Sequence, residues 1–184
     1  DLLATLRQQR EDAQRARDGA GLLQEIGALL GEVLLGFEVG RPAHVQSGVD
    51  DGLREIAYGD WEGLTHDEAV ARYPEAYEYW ANDPASHGTP GGETAFMVAA
   101  RATPVIGRLR ERYASGRVLV VSHKATLRVI VCSLLGMDVR LFRERIAQPV
   151  GALTCFDISG RDARLTLHGD VSHLPADLRV LEVT

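Results

Sequence analysis

Two stretches of this sequence carry residue types suited to acid–base or phosphoryl chemistry. The first is Val118–Leu135, VLVVSHKATLRVIVCSLL, where four apolar residues run into Ser122-His123 and an apolar helical pattern follows. A short apolar run, a polar pair and a helix read as a buried parallel strand, a turn and a crossover helix. Ligands of open α/β sheets bind beyond the carboxyl ends of the strands. His123 stands at such an end, beside a helix N-terminus suited to an anion such as phosphate. The same residue also reads as a structural turn histidine that caps the helix. The second stretch is Leu53–Gly63, LREIAYGDWEG, which has no clear period, is rich in glycine and carries carboxylates and an indole. It reads as an ordered loop with a task, and a solvated loop carboxylate is the plain reading of Glu55 there.

The elements that must position these residues follow from the surrounding pattern. Thr65-His66-Asp67-Glu68 is a capping-box signature, so a short helix should run to about Tyr73 and stop before Pro74. The polar loop Asn82–Gly92 leads into a long helix over Glu93–Tyr113, kinked at Pro104. Gly136 closes the helix that follows His123. Val139–Ile146 reads as a short helix whose basic face, Arg140, Arg143 and Arg145, is expected to be solvated, with a substrate clamp as the alternative. Gly151–Ser159 and Ala163–His168 pair as a hairpin, and Leu178–Thr184 is a candidate last strand. Upstream, residues 1–20 and 22–35 read as helices, Glu32–Val39 alternatively as a strand, and Ala43–Gln46 as a short strand. The order is that of one α/β domain over residues 1–184, three-layered (α/β/α), with a central mixed, mainly parallel sheet.

Composition narrows the function classes. The 184 residues are 45% hydrophobic and 25% charged, enough for one domain with a real core. A formal net charge of -6 argues against nucleic-acid binding, which rests on basic surface. No apolar run approaches the roughly 18 residues of a membrane span, and DLLATLRQQRED lacks the layout of a signal peptide. Cys132 and Cys155 have no zinc-like or redox-like spacing. Both lie in apolar runs, which reads as buried free thiols in a reducing, cytoplasmic compartment. The six histidines show no His-x-x-x-His spacing, so no metal and no cofactor are expected.

Four motifs, taken together, resemble the histidine phosphatase superfamily, the family of phosphoglycerate mutases and broad phosphatases. Leu53-Arg54-Glu55-Ile56 with Gly59-Asp60-Trp61-Glu62-Gly63 resembles its central loop. Pro90-Gly91-Gly92-Glu93-Thr94 resembles the opening of its long helix. Val120-Val121-Ser122-His123 resembles the strand end bearing its second catalytic histidine, and Asp170-Val171-Ser172-His173-Leu174 resembles a segment near its C-terminus. The match covers about residues 45–175, with 1–44 divergent. The resemblance implies a phosphomonoester hydrolase that transfers phosphoryl through a phosphohistidine, on a small phosphorylated metabolite, with a homo-oligomer as one assembly. It implies Glu55 as proton donor to the leaving oxygen and His123 as stabiliser of the transferring phosphoryl group. Ser122 and Lys124 flank that group, Lys124 either adding charge or pointing outward. Trp61 either lines the substrate pocket, with the loop Glu75–Thr89 selecting substrate, or packs beneath a lid.

The sequence departs from the family pattern at its defining element. It contains no Arg-His-Gly, the motif whose histidine becomes phosphorylated. Gln14–Ala20 partly resembles the family's Arg-Ala-x-x-Thr-Ala helix start, which makes Arg15 a candidate phosphate ligand; a charged helix face is the alternative. A region outside this sequence, Glu32–Val39, Arg179–Thr184 or a partner chain is expected to fill the sheet position beside Val118–Val121. A second reading of function follows: a family member that binds a phosphorylated ligand or a protein partner without turnover.

Overall fold

Local signals place most of the elements. The computed structural model describes residues 48–160 and 162–179. The expected helices over 1–20 and 22–35, the strand candidates Glu32–Val39 and Ala43–Gln46, the candidate ligand Arg15, and residues 180–184 lie outside the described residues. Helix α1 is His66–Arg72. Its capping box is complete: Glu68 N–H donates to Thr65 Oγ1, and Thr65 N–H donates to the Glu68 carboxylate at 2.8 Å. The helix ends at Tyr73, as Pro74 requires. The chain then starts a second helix, α2 (Pro74–Asn82), with proline at its first turn. The sequence reading left this stretch as loop. Proline breaks a helix from within but suits its first position, because its φ is preset and no N–H is needed there.

Helix α3 (Ala95–Arg112) is capped by Thr94, whose hydroxyl accepts from Met97 N–H. Helix α4 (Lys124–Leu135) ends at Gly136, left-handed at φ 64°, with its N–H on Cys132 and Ser133 carbonyls. A side chain there would pay for that backbone conformation. After a 3-10 turn at Val139–Leu141 comes the short helix α5 (Phe142–Arg145). Strands β1 (Leu153–Ser159) and β2 (Asp162–Asp170) form the expected antiparallel hairpin.

The core lies between α3 and α4. Val98, Val129 and Cys132 are fully shielded, with Phe142 and Ile146 packed beside them. Each such aliphatic side chain contributes about 1.5–3 kcal/mol by leaving water. A second patch, Ala102, Ile106 and Ile130, takes Leu53 and Val120 against it.

Two expectations are corrected. Val118–Val121 is not a buried, paired strand among the described residues. Val120 turns to the core, while Val118, Leu119 and Val121 are 47%, 59% and 44% exposed. A parallel strand is covered and bonded only by its flanking neighbours, and no described segment pairs with this one. The described sheet is the β1–β2 hairpin alone. Cys132 is buried as expected, but Cys155 is exposed. Side chains alternate along β1, so Phe156 faces the core and its neighbour faces out.

The two glycine-rich motifs meet each other. Asp60 N–H donates to Pro90 O at 2.8 Å, Glu93 N–H to Ala57 O at 2.8 Å, and the Thr89 hydroxyl to Tyr58 O at 2.7 Å. Gly59, at φ 52°, sits at the crossing. A Cβ there would run into the Pro90 carbonyl oxygen and lie 2.5 Å from Gly92 N. Gly59→Ala is therefore expected to lower the unfolding free energy in urea by about 2–3 kcal/mol. Gly107, inside α3 with open space around it, is the contrast: Gly107→Ala is expected to raise it by roughly 0.5–1 kcal/mol.

Candidate active site

The N-terminus of α4 needs partners for N–H groups that have no carbonyl one turn back. His123 occupies the N-cap position, and its side chain makes no capping bond. Glu55 does the capping from another loop. One carboxylate oxygen accepts from Ala125 N–H at 3.2 Å, and the other accepts from Thr126 N–H at 3.1 Å. The second oxygen also accepts from Ile56 N–H at 2.9 Å and lies 3.1 Å from Thr126 Oγ1. Thr126 is fully buried, and its hydroxyl also lies 2.7 Å from Arg54 O. The two residues singled out for chemistry thus meet at one helix end. Glu55 satisfies the helix, and the His123 imidazole is not used for that task.

A second network holds Glu55 in place. Arg101, from α3, donates to the carbonyls of Gly52 (2.9 Å), Arg54 (2.8 Å) and Glu55 (3.0 Å). Its remaining donors grip both oxygens of Glu93 at 2.9 Å. Glu93 also accepts from Ala57 N–H at 3.1 Å and from Arg54 at 2.9 Å. The loop on either side of Glu55 is therefore bonded to one ion pair, whose side chains are 14% and 10% exposed. The sequence reading did not select Arg101. Its signal was faint: a cation eight residues after Glu93, two helical turns on and on the same face.

The other expected residues divide. Ser122 donates to Leu53 O at 2.6 Å, so its hydroxyl ties the end of the Val118–Val121 run to the acid-bearing loop. Lys124 is half-buried at the first position of α4. Trp61 is 8% exposed, with its ring stacked on Tyr77 at 5.6 Å and the edge of Trp80 at 5.3 Å. Two arginines near the site come from helix faces. Arg128, on α4, is 6% exposed. Burial, and then the neighbouring Arg143 charge, draw its proton affinity below the usual arginine range. Burial first, and then the Glu55 carboxylate, raise the Tyr58 phenol above its ordinary range, against the pull of Arg143 and Arg128. No group of three or more His, Cys, Asp and Glu among the described residues is placed to hold a metal ion.

A family model for the histidine phosphatase superfamily (branch 1) matches residues 38–171. The chain belongs to the histidine phosphatase superfamily. Among its relatives, phosphoserine phosphatase 1 of Hydrogenobacter thermophilus is 30% identical over 109 residues, 59% of this chain and 52% of the relative. Glucosyl-3-phosphoglycerate phosphatase of Mycolicibacterium vanbaalenii is 34% identical over 114 residues, 58% and 48% of the two chains. The chain thus spans about half the length of these relatives. The solved structure of Bacillus stearothermophilus YhfR superposes with a TM-score of 0.64 at 28% identity, covering 68% of this chain and 62% of that one. That likeness bears out the α/β, phosphoglycerate mutase-like fold class.

In this chain the Arg101–Glu93 pair is expected to make the loop around Glu55 sensitive to pH. Hydrogen bonds from Arg101 are the largest influence on Glu93; together with Ala57 N–H they hold its carboxyl below the ordinary glutamate range, against desolvation. The stabilisation is complete above the ordinary glutamate pKa and is lost as pH falls through the lower folded-state value. Glu93→Gln is expected to flatten the acid limb of a stability–pH curve. Arg101→Ala, which leaves a buried carboxylate without its main partner, is expected to cost about 3 kcal/mol in chemical denaturation at pH 7.

Proposed function

We propose that the protein acts on small phosphomonoesters as a phosphatase, in a cytoplasmic setting. The observation that carries this reading is the meeting of Glu55 and His123 at the N-terminus of α4. Phosphoryl transfer asks for charge stabilisation on the equatorial oxygens, in-line placement and a proton for the leaving oxygen. His123, at the positive end of a 12-residue helix with Lys124 beside it, supplies the first. Glu55, fixed by backbone donors and by the Arg101–Glu93 network, is the proton donor in this reading. The family matched and the phosphatase names of its relatives support the same reading. The free thiols of Cys132 and Cys155 suit a reducing compartment.

The reading leaves the nucleophile unassigned, since the 184 residues hold no Arg-His-Gly. That observation favours a second reading, in which the chain binds a phosphorylated ligand without turnover. Hydrolysis of an aryl and an alkyl phosphate by this chain, with chelator present, separates the two. Under the first reading both esters are hydrolysed and His123→Ala lowers kcat/KM by about 100-fold or more. Glu55→Gln lowers it by about 100-fold for the alkyl ester and by less for p-nitrophenyl phosphate, whose leaving group needs little help from an acid. No turnover by a folded chain that still binds vanadate would favour the second reading.

A further inference from the structure

The two oxygens of the Glu55 carboxylate are not equivalent. Oε1 accepts from Ile56 N–H at 2.9 Å and from Thr126 N–H at 3.1 Å, and the Thr126 hydroxyl lies 3.1 Å from it. Oε2 accepts from Ala125 N–H alone among the described residues, at 3.2 Å. A carboxylate oxygen has two lone pairs, so three donors crowd Oε1 while Oε2 keeps one acceptor position open. The two N–H groups at Oε1 cannot turn away. One belongs to the first turn of α4, and the other to the residue that follows Glu55. A proton on Oε1 would face them hydrogen to hydrogen, whereas a proton on Oε2 meets one long bond only. Proton uptake by Glu55 therefore falls to Oε2, and Oε1 becomes the carbonyl oxygen of the neutral acid.

Thr126 is the group that can follow this change. It is fully buried in the first turn of α4. Its hydroxyl carries one hydrogen and reaches two acceptors, Arg54 O at 2.7 Å and Glu55 Oε1 at 3.1 Å. A hydroxyl rotates to suit its surroundings, so charge decides which acceptor takes that hydrogen. An ionised Oε1 draws it through a charge-assisted bond. A neutral Oε1 leaves it to Arg54 O, which is the closer of the two. Arg54 O also accepts from Arg101 Nη1 at 2.8 Å, so it is satisfied in both arrangements.

We propose that Thr126 is a positioning residue that holds Glu55 Oε1 as the accepting oxygen, so that the transferable proton stands on Oε2. This deepens the reading given under Proposed function and rests on it for Glu55 as the acid. In the step itself the P–O bond breaks with its electron pair on the ester oxygen. That oxygen takes the proton from Oε2, and the phosphoryl group passes to the attacking nucleophile, an imidazole nitrogen or water. Glu55 is left ionised, and the Thr126 hydroxyl swings from Arg54 O to the new charge on Oε1.

Thr126→Val removes the hydroxyl at nearly constant volume, and Thr126→Ser keeps it; Thr126→Ala serves should the valine variant melt early. Turnover of ethyl phosphate, whose leaving group needs an acid, is compared with that of p-nitrophenyl phosphate, whose leaving group needs little help. Thr126→Val is expected to lower kcat/KM for the alkyl ester about tenfold, the size of one charge-assisted hydrogen bond, with a far smaller loss for the aryl ester. Thr126→Ser is expected to restore the alkyl rate. Equal losses on both esters would make Thr126 structural only and overturn the proposal, as would an unchanged alkyl rate. A second readout needs no turnover. Infrared difference spectra on acidification, over the range in which circular dichroism shows the chain folded, are read for the carboxyl C=O band that Glu55→Gln abolishes. With the proton on Oε2 the C=O oxygen is Oε1, so Thr126→Val is expected to move that band to higher wavenumber and Thr126→Ser to leave it in place. An unmoved band, or no Glu55 band in the folded chain, overturns the proposal. A moved band in a chain that hydrolyses neither ester would uphold it and sink the hydrolase reading. Turnover of both esters with an unmoved band would do the reverse.

Discussion

The bidentate pairing of Arg101 with Glu93 is the constraint on which the rest of this site depends. An ion pair this far from solvent gains little net stability from its own attraction, because both charges have left water. Its value here is geometric. Arg101 has five N–H donors in a fixed plane, and the structure spends them on three successive-region carbonyls and one carboxylate. Glu93 then reaches the Ala57 N–H and Arg54. The loop around Glu55 has no regular secondary structure to satisfy its backbone, and this pair does so instead. A charged side chain from a long, well-packed helix thereby fixes the course of an irregular chain.

With the loop fixed, one carboxylate and one helix end serve each other. Glu55 accepts N–H groups of α4 that a local N-cap side chain would otherwise take. The N-cap residue is His123, and its ring is released from that duty. The same hydrogen bonds therefore fix the Glu55 carboxylate and complete the helix, with the histidine at the positive end of the helix dipole. Ser122 adds a further tie by donating to Leu53 O, which joins the two segments just ahead of the site.

The aromatic residues form the support beneath. Trp61, Tyr77 and Trp80 pack against one another, with Tyr73 and Tyr58 at the margins. This cluster exists because α2 follows α1 directly and brings Tyr77 and Trp80 back over Trp61. Large aromatic side chains bury much area with few rotatable bonds, so they make a stiff platform. Arg143, from the short helix α5, lies over the Trp80 ring of that platform.

The sequence by itself determined what depends on neighbours along the chain. The capping box at Thr65 and Glu68, the stop at Gly136, the hairpin of β1 and β2, and the family motifs around Glu55 and His123 are all local patterns, and each appears where it was read. These features rest on backbone sterics and on hydrogen bonds between residues a few positions apart. The helix Pro74–Asn82 was missed because proline both ends and begins helices, and only the path of the chain decides which. Only the tertiary structure decided what depends on distance across the fold. It turned Ser122 toward Leu53, buried Trp61, exposed Val118, Leu119 and Val121 among the described residues, and chose Arg101 and Arg143 from many arginines on helix faces. A helix pattern states which residues share a face; the partner that face meets is set by packing between segments far apart in sequence.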